Sequence, residues 1–172
     1  VDDGFDLFNK IEDGPNGSVT IENSLSVHNG SNGFKLGGEG LPVAHVARHN
    51  VAVENGMDGF TDNFNPGALV IENNRALDNK RFNFLFRPSP YTTADKQGVF
   101  KDNLSLRTTA GRYDDAVSGN VDDSNYFYIS QKSVNNAGKE IQPQDYLSLT
   151  LPQPVTRNPD GTFNYQDFLK KK

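Results

Sequence analysis

A short motif with phenylalanine at its second position recurs along the first half of the chain. Its copies are spaced by 29, 26 and 24 residues and begin at Gly4, Gly33, Gly59 and Asn83. A period in this range is typical of solenoids, in which every repeat is one turn of chain that stacks on the next. The repeat therefore limits the fold to architectures built from stacked coils.

A second motif keeps the same period. Its copies begin at Ile21, Ala47, Ile71 and Phe100. Apolar residues occupy every second position, as at Leu25 and Val27, which is the pattern of strands and not of helices. Short strands with glycine and asparagine at the corners predict an all-β fold, a right-handed parallel β-helix.

Stacked coils also predict ladders of like side chains at the corners. One predicted ladder contains Asn23, His49, Asn73 and Asp102, and another contains Asn29, Asn55 and Asn79. Stacked amides can bond to corner backbone groups that the sheets leave unpaired, so we expect a structural role for them.

The repeat weakens after Arg107, which predicts two regions. Residues 1–130 are expected to form the β-helix coils, and residues 131–172 a C-terminal cap over the open edge of the last coil. Val1 begins directly inside a repeat, so we expect further coils to precede this stretch in a longer protein.

Composition narrows the class of protein. The chain has 172 residues, 34% of them hydrophobic, and a net charge of −5, which fits one globular domain, expected to be monomeric. A nucleic-acid partner is not expected, because the basic run is confined to Lys170–Lys172. Membrane insertion is not expected either, because no apolar run approaches the roughly 18 residues needed to span a bilayer. The absence of cysteine excludes disulfides and thiolate metal sites.

Strand alternation predicts which side chains point outward. If Phe5 faces the core, then Asp6 faces outward, and the repeat places Lys35 next to it. The full outward column would be Asp6, Lys35, Thr61 and Leu85, with neighbours about 4.8 Å apart. Arg87 falls in the adjacent outward column, so Asp6, Lys35 and Arg87 are predicted to line one groove.

Three aspartates cluster at the start of the chain, at Asp2, Asp3 and Asp6. Hard oxygen donors gathered at a turn suit calcium (Ca2+), which takes six to eight oxygens with flexible geometry. Taken alone, such a cluster is more often a solvated turn, and an outward lysine usually only adds solubility. Together they suit proton abstraction beside a carboxylate, with the metal stabilising charge on the substrate and Lys35 removing the proton. On a uronic acid polymer this chemistry gives β-elimination.

Four runs of the sequence carry a resemblance to a known family. They are residues 1–10, 32–38, 56–64 and 83–88, and they resemble the pectate lyases of polysaccharide lyase family nine. The resemblance implies a calcium-dependent lyase on a right-handed parallel β-helix, secreted or periplasmic in bacteria, that cleaves pectate (polygalacturonate), an acidic polysaccharide, by β-elimination.

The resemblance also implies roles for individual residues. Lys35 matches the catalytic lysine, the Brønsted base, and Asp2, Asp3 and Asp6 match calcium ligands, with the backbone carbonyl of Val1 as a further one. The family supplies another calcium-binding aspartate from a preceding coil, which has no counterpart in this sequence.

Other residues and functions remain open at this point. Arg87 could bind a substrate carboxylate or cap a turn, and Asn63 and Lys10 are further candidates for substrate binding. Asp62 falls at a core-aligned position, so either the strand is bulged there or the aspartate is buried and hydrogen-bonded, and a structural role is expected. The alternatives to a pectate lyase are a rhamnogalacturonan lyase of the same family, a hydrolase with paired carboxylates, and a non-catalytic carbohydrate-binding β-helix.

Overall fold

The computed structural model describes residues 2–110 and 113–172, and most of its regular structure is short β-strands. In chain order the strands are β1 (Phe5–Asp6), β2 (Thr20–Glu22), β3 (Leu25–Val27), β4 (Phe34–Lys35), β5 (Val46–Arg48), β6 (Val51–Val53), β7 (Phe60–Thr61), β8 (Val70–Glu72), β9 (Arg75–Leu77), β10 (Phe84–Phe86), β11 (Val99–Lys101), β12 (Leu104–Leu106), β13 (Ala116–Val117), β14 (Asn120–Val121), β15 (Phe127–Ile129), β16 (Lys132–Val134), β17 (Glu140–Ile141), β18 (Thr156–Arg157) and β19 (Phe163–Asn164). Short 3₁₀ helices span Ile11–Asp13, Ala94–Lys96 and Pro143–Asp145. None of the helices in the described ranges could reach across a lipid bilayer.

Three parallel sheets form the solenoid. Their strand orders are β1-β4-β7-β10-β13, β2-β5-β8-β11-β14 and β3-β6-β9-β12. Each of the first four turns adds one strand to each sheet, and a fifth turn adds β13 and β14 to the first two sheets. Equivalent strands of successive turns pair in parallel. This arrangement confirms the predicted all-β parallel solenoid.

The repeated phenylalanines fill the interior. Phe5, Phe34, Phe60 and Phe84 occupy one register column, and successive rings stack with centroids 4.8, 4.6 and 5.1 Å apart. The preceding glycine allows the turns to approach closely, because a Cβ on Gly33 would lie 2.6 Å from the carbonyl oxygen of Gly59. The Gly-Phe motif thus combines a close backbone contact with a continuous aromatic core.

In the third sheet, β3-β6-β9-β12, small residues face the interior of the solenoid and large apolar residues face outward. Its middle positions carry small buried residues: Ser26, Ala52, Ala76 and Ser105. The flanking positions carry large apolar residues, such as Val51 and Leu106, which pack against Ile141, Tyr146, Leu151, Phe168 and Leu169 of the C-terminal segment. The small side chains therefore face the narrow interior, and residues 141–172 cover the outer face.

The end of the parallel stack is covered separately. Tyr126 still bridges to Leu104 in parallel, but β15, β16 and β17 then form an antiparallel sheet. The Ser133 hydroxyl donates to the carbonyl oxygen of Ser105 at 2.6 Å, which attaches this sheet to β12. The C-terminal region therefore lies along one side of the solenoid and also contacts its last turn.

One predicted asparagine ladder is confirmed and the other is displaced by one residue. Asn29 donates to Asn55, and Asn55 to Asn79, at 2.8 Å in both cases. At the other corner the linked amides are Asn50, Asn74, Asn103 and Asn125. The predicted residues there, Asn23, His49, Asn73 and Asp102, are instead the left-handed corner residues, with φ between 47° and 55°. The left-handed residue turns the chain and directs the next side chain into the corner.

His45 is fully buried at another corner, where its Nδ1 accepts a hydrogen bond from the backbone N–H of Val19 at 3.0 Å. Burial lowers the pKa of His45 below its ordinary value of 6.5. The unfolded chain therefore binds a proton at higher pH than the folded chain. The stability that neutral His45 contributes is complete above pH 6.5 and is lost as the pH falls through the folded-state pKa.

We expect the stability advantage of the wild type over His45→Asn to shrink on acidification from pH 8 to pH 5. Asparagine retains an acceptor near the position of Nδ1 but does not titrate. Urea unfolding of both proteins at each pH measures the difference, and an advantage that is constant with pH would contradict the expectation.

Candidate active site

The outward column of the first sheet has the predicted register. Asp6 pairs with Lys35, Lys35 with Thr61, and Thr61 with Leu85. Thr61 and Leu85 are buried, however, so the part of the column that solvent reaches is the pair Asp6 and Lys35. The solvent-accessible charged groups of this column therefore lie in the first two turns.

The Lys35 ammonium lies between two carboxylates. Its Nζ is 3.3 Å from Oδ2 of Asp3 and 3.3 Å from Oδ2 of Asp6. The Lys35 side chain is 17% exposed, while Asp3 is 4% and Asp6 44% exposed. The ring of Phe8 lies beside the amine, with its centroid 5.0 Å from Nζ. The structure thus brings Lys35, Asp3 and Asp6 together, as the sequence predicted.

Electrostatics favour the charged form of this lysine. Burial alone would lower the pKa of Lys35, but the hydrogen bonds and charges of Asp3 and Asp6 outweigh burial and raise the pKa. Burial would likewise raise the pKa of Asp3, but hydrogen bonds from Asn32, Ser31 and Lys35 outweigh it and lower the pKa. The two carboxylates therefore stabilise the protonated form of Lys35.

Asp3 is held in place by a residue that sequence reasoning missed. Asn32 donates to Oδ1 of Asp3 from its backbone nitrogen at 2.8 Å and from Nδ2 at 2.9 Å. Asn32 in turn accepts from the backbone N–H of Asp58, at 3.2 Å. The signal was present in the repeat, because Asp3, Asn32 and Asp58 each precede a Gly-Phe pair.

The predicted calcium ligands converge in part. Oδ2 of Asp3 and Oδ2 of Asp6 are both 3.3 Å from Nζ of Lys35, so the ammonium lies between them. Asp2 is exposed, and its backbone carbonyl accepts from the Ser31 N–H at 2.7 Å. Within residues 2–110 and 113–172, no three His, Cys, Asp or Glu side chains converge as a metal-binding group. Val1 lies outside the described residues.

These donors suit a hard cation. Two carboxylate oxygens already share one positively charged neighbour, and both are the oxygen type that calcium prefers. Asp3 and Asp6 would supply two of the six to eight oxygens that calcium takes, and no third carboxylate converges with them in residues 2–110 and 113–172.

Arg87 is engaged by Asp62. The Arg87 guanidinium forms an ion pair with the Asp62 carboxylate, and the backbone N–H of Arg87 donates to Oδ2 of Asp62 at 2.7 Å. Asp62 is buried and hydrogen-bonded, one of the two arrangements predicted for it, and burial raises its pKa even though Arg87 opposes the shift. The guanidinium also lies over the ring of Phe64, 4.0 Å from the centroid.

Asn63 and Lys10, the other two residues predicted to bind substrate, interact with other groups of the protein. Asn63 donates from Nδ2 to the carbonyl oxygen of Gly37 at 2.7 Å, which ties neighbouring turns together. Lys10 is exposed, and its Nζ lies 3.7 Å from Oε1 of Glu12.

Comparisons with known proteins agree with this architecture. Residues 1–103 match the family described as Pel9A-like, right handed beta helix region. A pectate disaccharide-lyase of Dickeya chrysanthemi is 71% identical over 127 residues, which cover 74% of this chain and 17% of the relative. Pectate lyase L of Paenibacillus polymyxa is 39% identical over 183 residues, covering 99% of this chain and 38% of the relative. Pectate lyase PEL9 of Emericella nidulans is 35% identical over 113 residues, covering 50% of this chain and 28% of the relative. No solved structure gives a significant match.

The chain spans only 17%, 38% and 28% of the lengths of these three relatives. The family match confirms the predicted handedness of the solenoid and the resemblance to family-nine pectate lyases that the four sequence runs carry. The chain belongs to the Pel9A-like family of right-handed β-helices.

Proposed function

We propose that this chain carries the catalytic lysine and part of the calcium site of a pectate lyase that cleaves polygalacturonate by β-elimination. The position of Lys35 supports this proposal most directly, because its amine lies on the outer face of the solenoid within 3.3 Å of two carboxylates. The pectate lyase names of the relatives support the choice of polymer.

In this proposal Lys35 acts as the Brønsted base. Its neutral Nζ takes the proton from the sugar carbon next to the carboxylate, and the electron pair of that C–H bond moves toward the carboxylate. The pair then forms a carbon–carbon double bond as the glycosidic oxygen on the next carbon leaves. The leaving oxygen takes up a proton from water, and the products are an unsaturated uronide end, a new reducing end and a protonated Lys35.

Asp3 and Asp6 would hold the calcium ion, and Asp2, which precedes Asp3 in the chain, is a further candidate ligand. When bound there, calcium would neutralise these aspartates and the substrate carboxylate, which favours both the neutral form of Lys35 and loss of the substrate proton. Asn32 keeps Asp3 oriented toward this position through its two hydrogen bonds.

The test is incubation of the protein with polygalacturonate and calcium, followed by ultraviolet absorbance of the unsaturated product. We expect the absorbance to rise, and chelation to lower the rate by roughly 100-fold or more, because the ion supplies several kcal/mol of charge stabilisation. Adding calcium back should restore the rate, and magnesium serves as the control.

Two outcomes would contradict this function. New reducing ends without absorbance would indicate a hydrolase, since hydrolysis leaves no double bond. Binding of the polymer without either product, under saturating calcium, would indicate a carbohydrate-binding module.

A further inference from the structure

Phe64 combines two features that are unusual for a large apolar residue. Its side chain is 60% exposed, and its backbone is left-handed, with φ of 67° directly after Asn63 at 43°. Bulky residues seldom adopt this conformation, and such backbone positions concentrate at ligand-binding sites. Burial of the phenyl ring does not account for the arrangement, because most of the ring is in solvent.

The ring is fixed beside a cation. The Arg87 guanidinium lies 4.0 Å from the centroid of Phe64. Asp62 holds both residues, because its Oδ1 accepts from the Phe64 N–H at 3.3 Å and its Oδ2 accepts from the Arg87 N–H at 2.7 Å. A buried carboxylate therefore orients an exposed aromatic ring and a guanidinium as one unit.

The same pairing occurs two turns earlier, at the candidate catalytic residue. Phe8 is 40% exposed and lies beside Lys35, with 5.0 Å between the ring centroid and Nζ. Gly38 makes room for this ring, since a Cβ there would lie 2.3 Å from Cδ2 of Phe8. Phe8 follows β1 and Phe64 follows β7 in the sheet order β1-β4-β7. The two ring-and-cation pairs are thus separated by two sheet spacings, roughly 10 Å along the solenoid axis.

We propose that Phe64, one turn from Lys35, and Arg87, two turns from Lys35, form a subsite for one uronate residue of the polymer. The phenyl ring would stack on the apolar C–H face of the sugar, and the guanidinium would pair with its carboxylate. Arg87 can do this while it is bound to Asp62, because a guanidinium has five N–H donors. The inference rests on the proposed function and identifies the substrate contact that extends its site.

Charge complementarity selects this occupant. A neutral sugar or an apolar peptide would contact the ring but would offer no carboxylate to the Arg87 guanidinium. A sugar acid presents an apolar face and a carboxylate within one residue, which matches the ring-and-cation unit.

The test measures binding of oligogalacturonides by calorimetry in the presence of calcium, on a Lys35→Ala background that prevents turnover. We expect Phe64→Ala to weaken binding by roughly five- to ten-fold, which is the range of an aromatic contact. Phe64→Tyr should bind within about two-fold of the parent, because it keeps the ring. Leu147→Ala is the matched control, since Leu147 is also an exposed apolar residue, 48% exposed, but lies in the C-terminal region. It should leave binding unchanged.

Equal affinity of the parent and Phe64→Ala would overturn the subsite while leaving the lyase proposal intact. If the wild type neither binds nor cleaves polygalacturonate, both proposals fail. The Tm of each variant is also measured, by thermal melting. Should Phe64→Ala lower the Tm, Phe64→Leu provides the same test, because it keeps apolar bulk and removes the ring.

Discussion

Lys35→Ala is expected to lower kcat for β-elimination by roughly 100- to 10,000-fold, the range for loss of a positioned general base. The remaining site should persist, because Asn32 still donates two hydrogen bonds to Asp3. KM should change little, since the lysine contributes mainly in the transition state. Initial rates by ultraviolet absorbance at saturating calcium measure the effect.

Lys35→Arg separates the role of base from that of charge. Arginine keeps the positive charge beside Asp3 and Asp6, but its guanidinium does not lose a proton near neutral pH. We therefore expect Lys35→Arg to be nearly as inactive as Lys35→Ala. Lys132→Ala is the control, because Lys132 is also a paired lysine, 2.6 Å from Glu140, but lies on β16. Activity of Lys35→Arg near that of the wild type would show that Lys35 is not the base.

Phe60→Ala is expected to lower the free energy of unfolding by about 3–5 kcal/mol, the usual cost of removing a buried phenylalanine. Phe60 is fully buried, and its ring stacks on Phe34 at 4.6 Å and on Phe84 at 5.1 Å. The neighbouring rings belong to paired strands and cannot collapse into the space. Urea unfolding followed by circular dichroism measures the loss.

Leu147→Ala is the control for this prediction. Leu147 is an apolar residue that is 48% exposed, and its truncation should cost less than about 0.5 kcal/mol. A similar small cost for Phe60→Ala would mean that the phenylalanine stack does not form the core.

The sequence predicted the features that depend on the repeat. A constant period fixes which residues of successive turns become neighbours, so the pairing of Asp6 with Lys35 followed directly from the Gly-Phe motif. The alternation within each strand then decided which side faces the core. The repeat and the alternation together therefore predicted that Lys35 and Asp6 are outward-facing neighbours.

Features that depend on local backbone geometry or on a choice among partners were not predictable in the same way. A left-handed corner residue moved the second amide ladder by one position, from Asn73 to Asn74. Arg87 could have pointed to solvent, but the buried Asp62 carboxylate binds it, and sequence spacing alone does not reveal that pairing. The C-terminal region carries no repeat, so no period indicated which face of the solenoid it would cover.

The apolar outer face of the sheet β3-β6-β9-β12 has a consequence for how the protein loses its structure. In a simple solenoid each turn contacts only its neighbours, so the ends can fray one turn at a time. Here one continuous stretch of chain packs against residues from several turns, including Val51, Leu77 and Leu104. Detaching any of these turns also disturbs that shared stretch, so melting should be a concerted event and not a progressive unzipping.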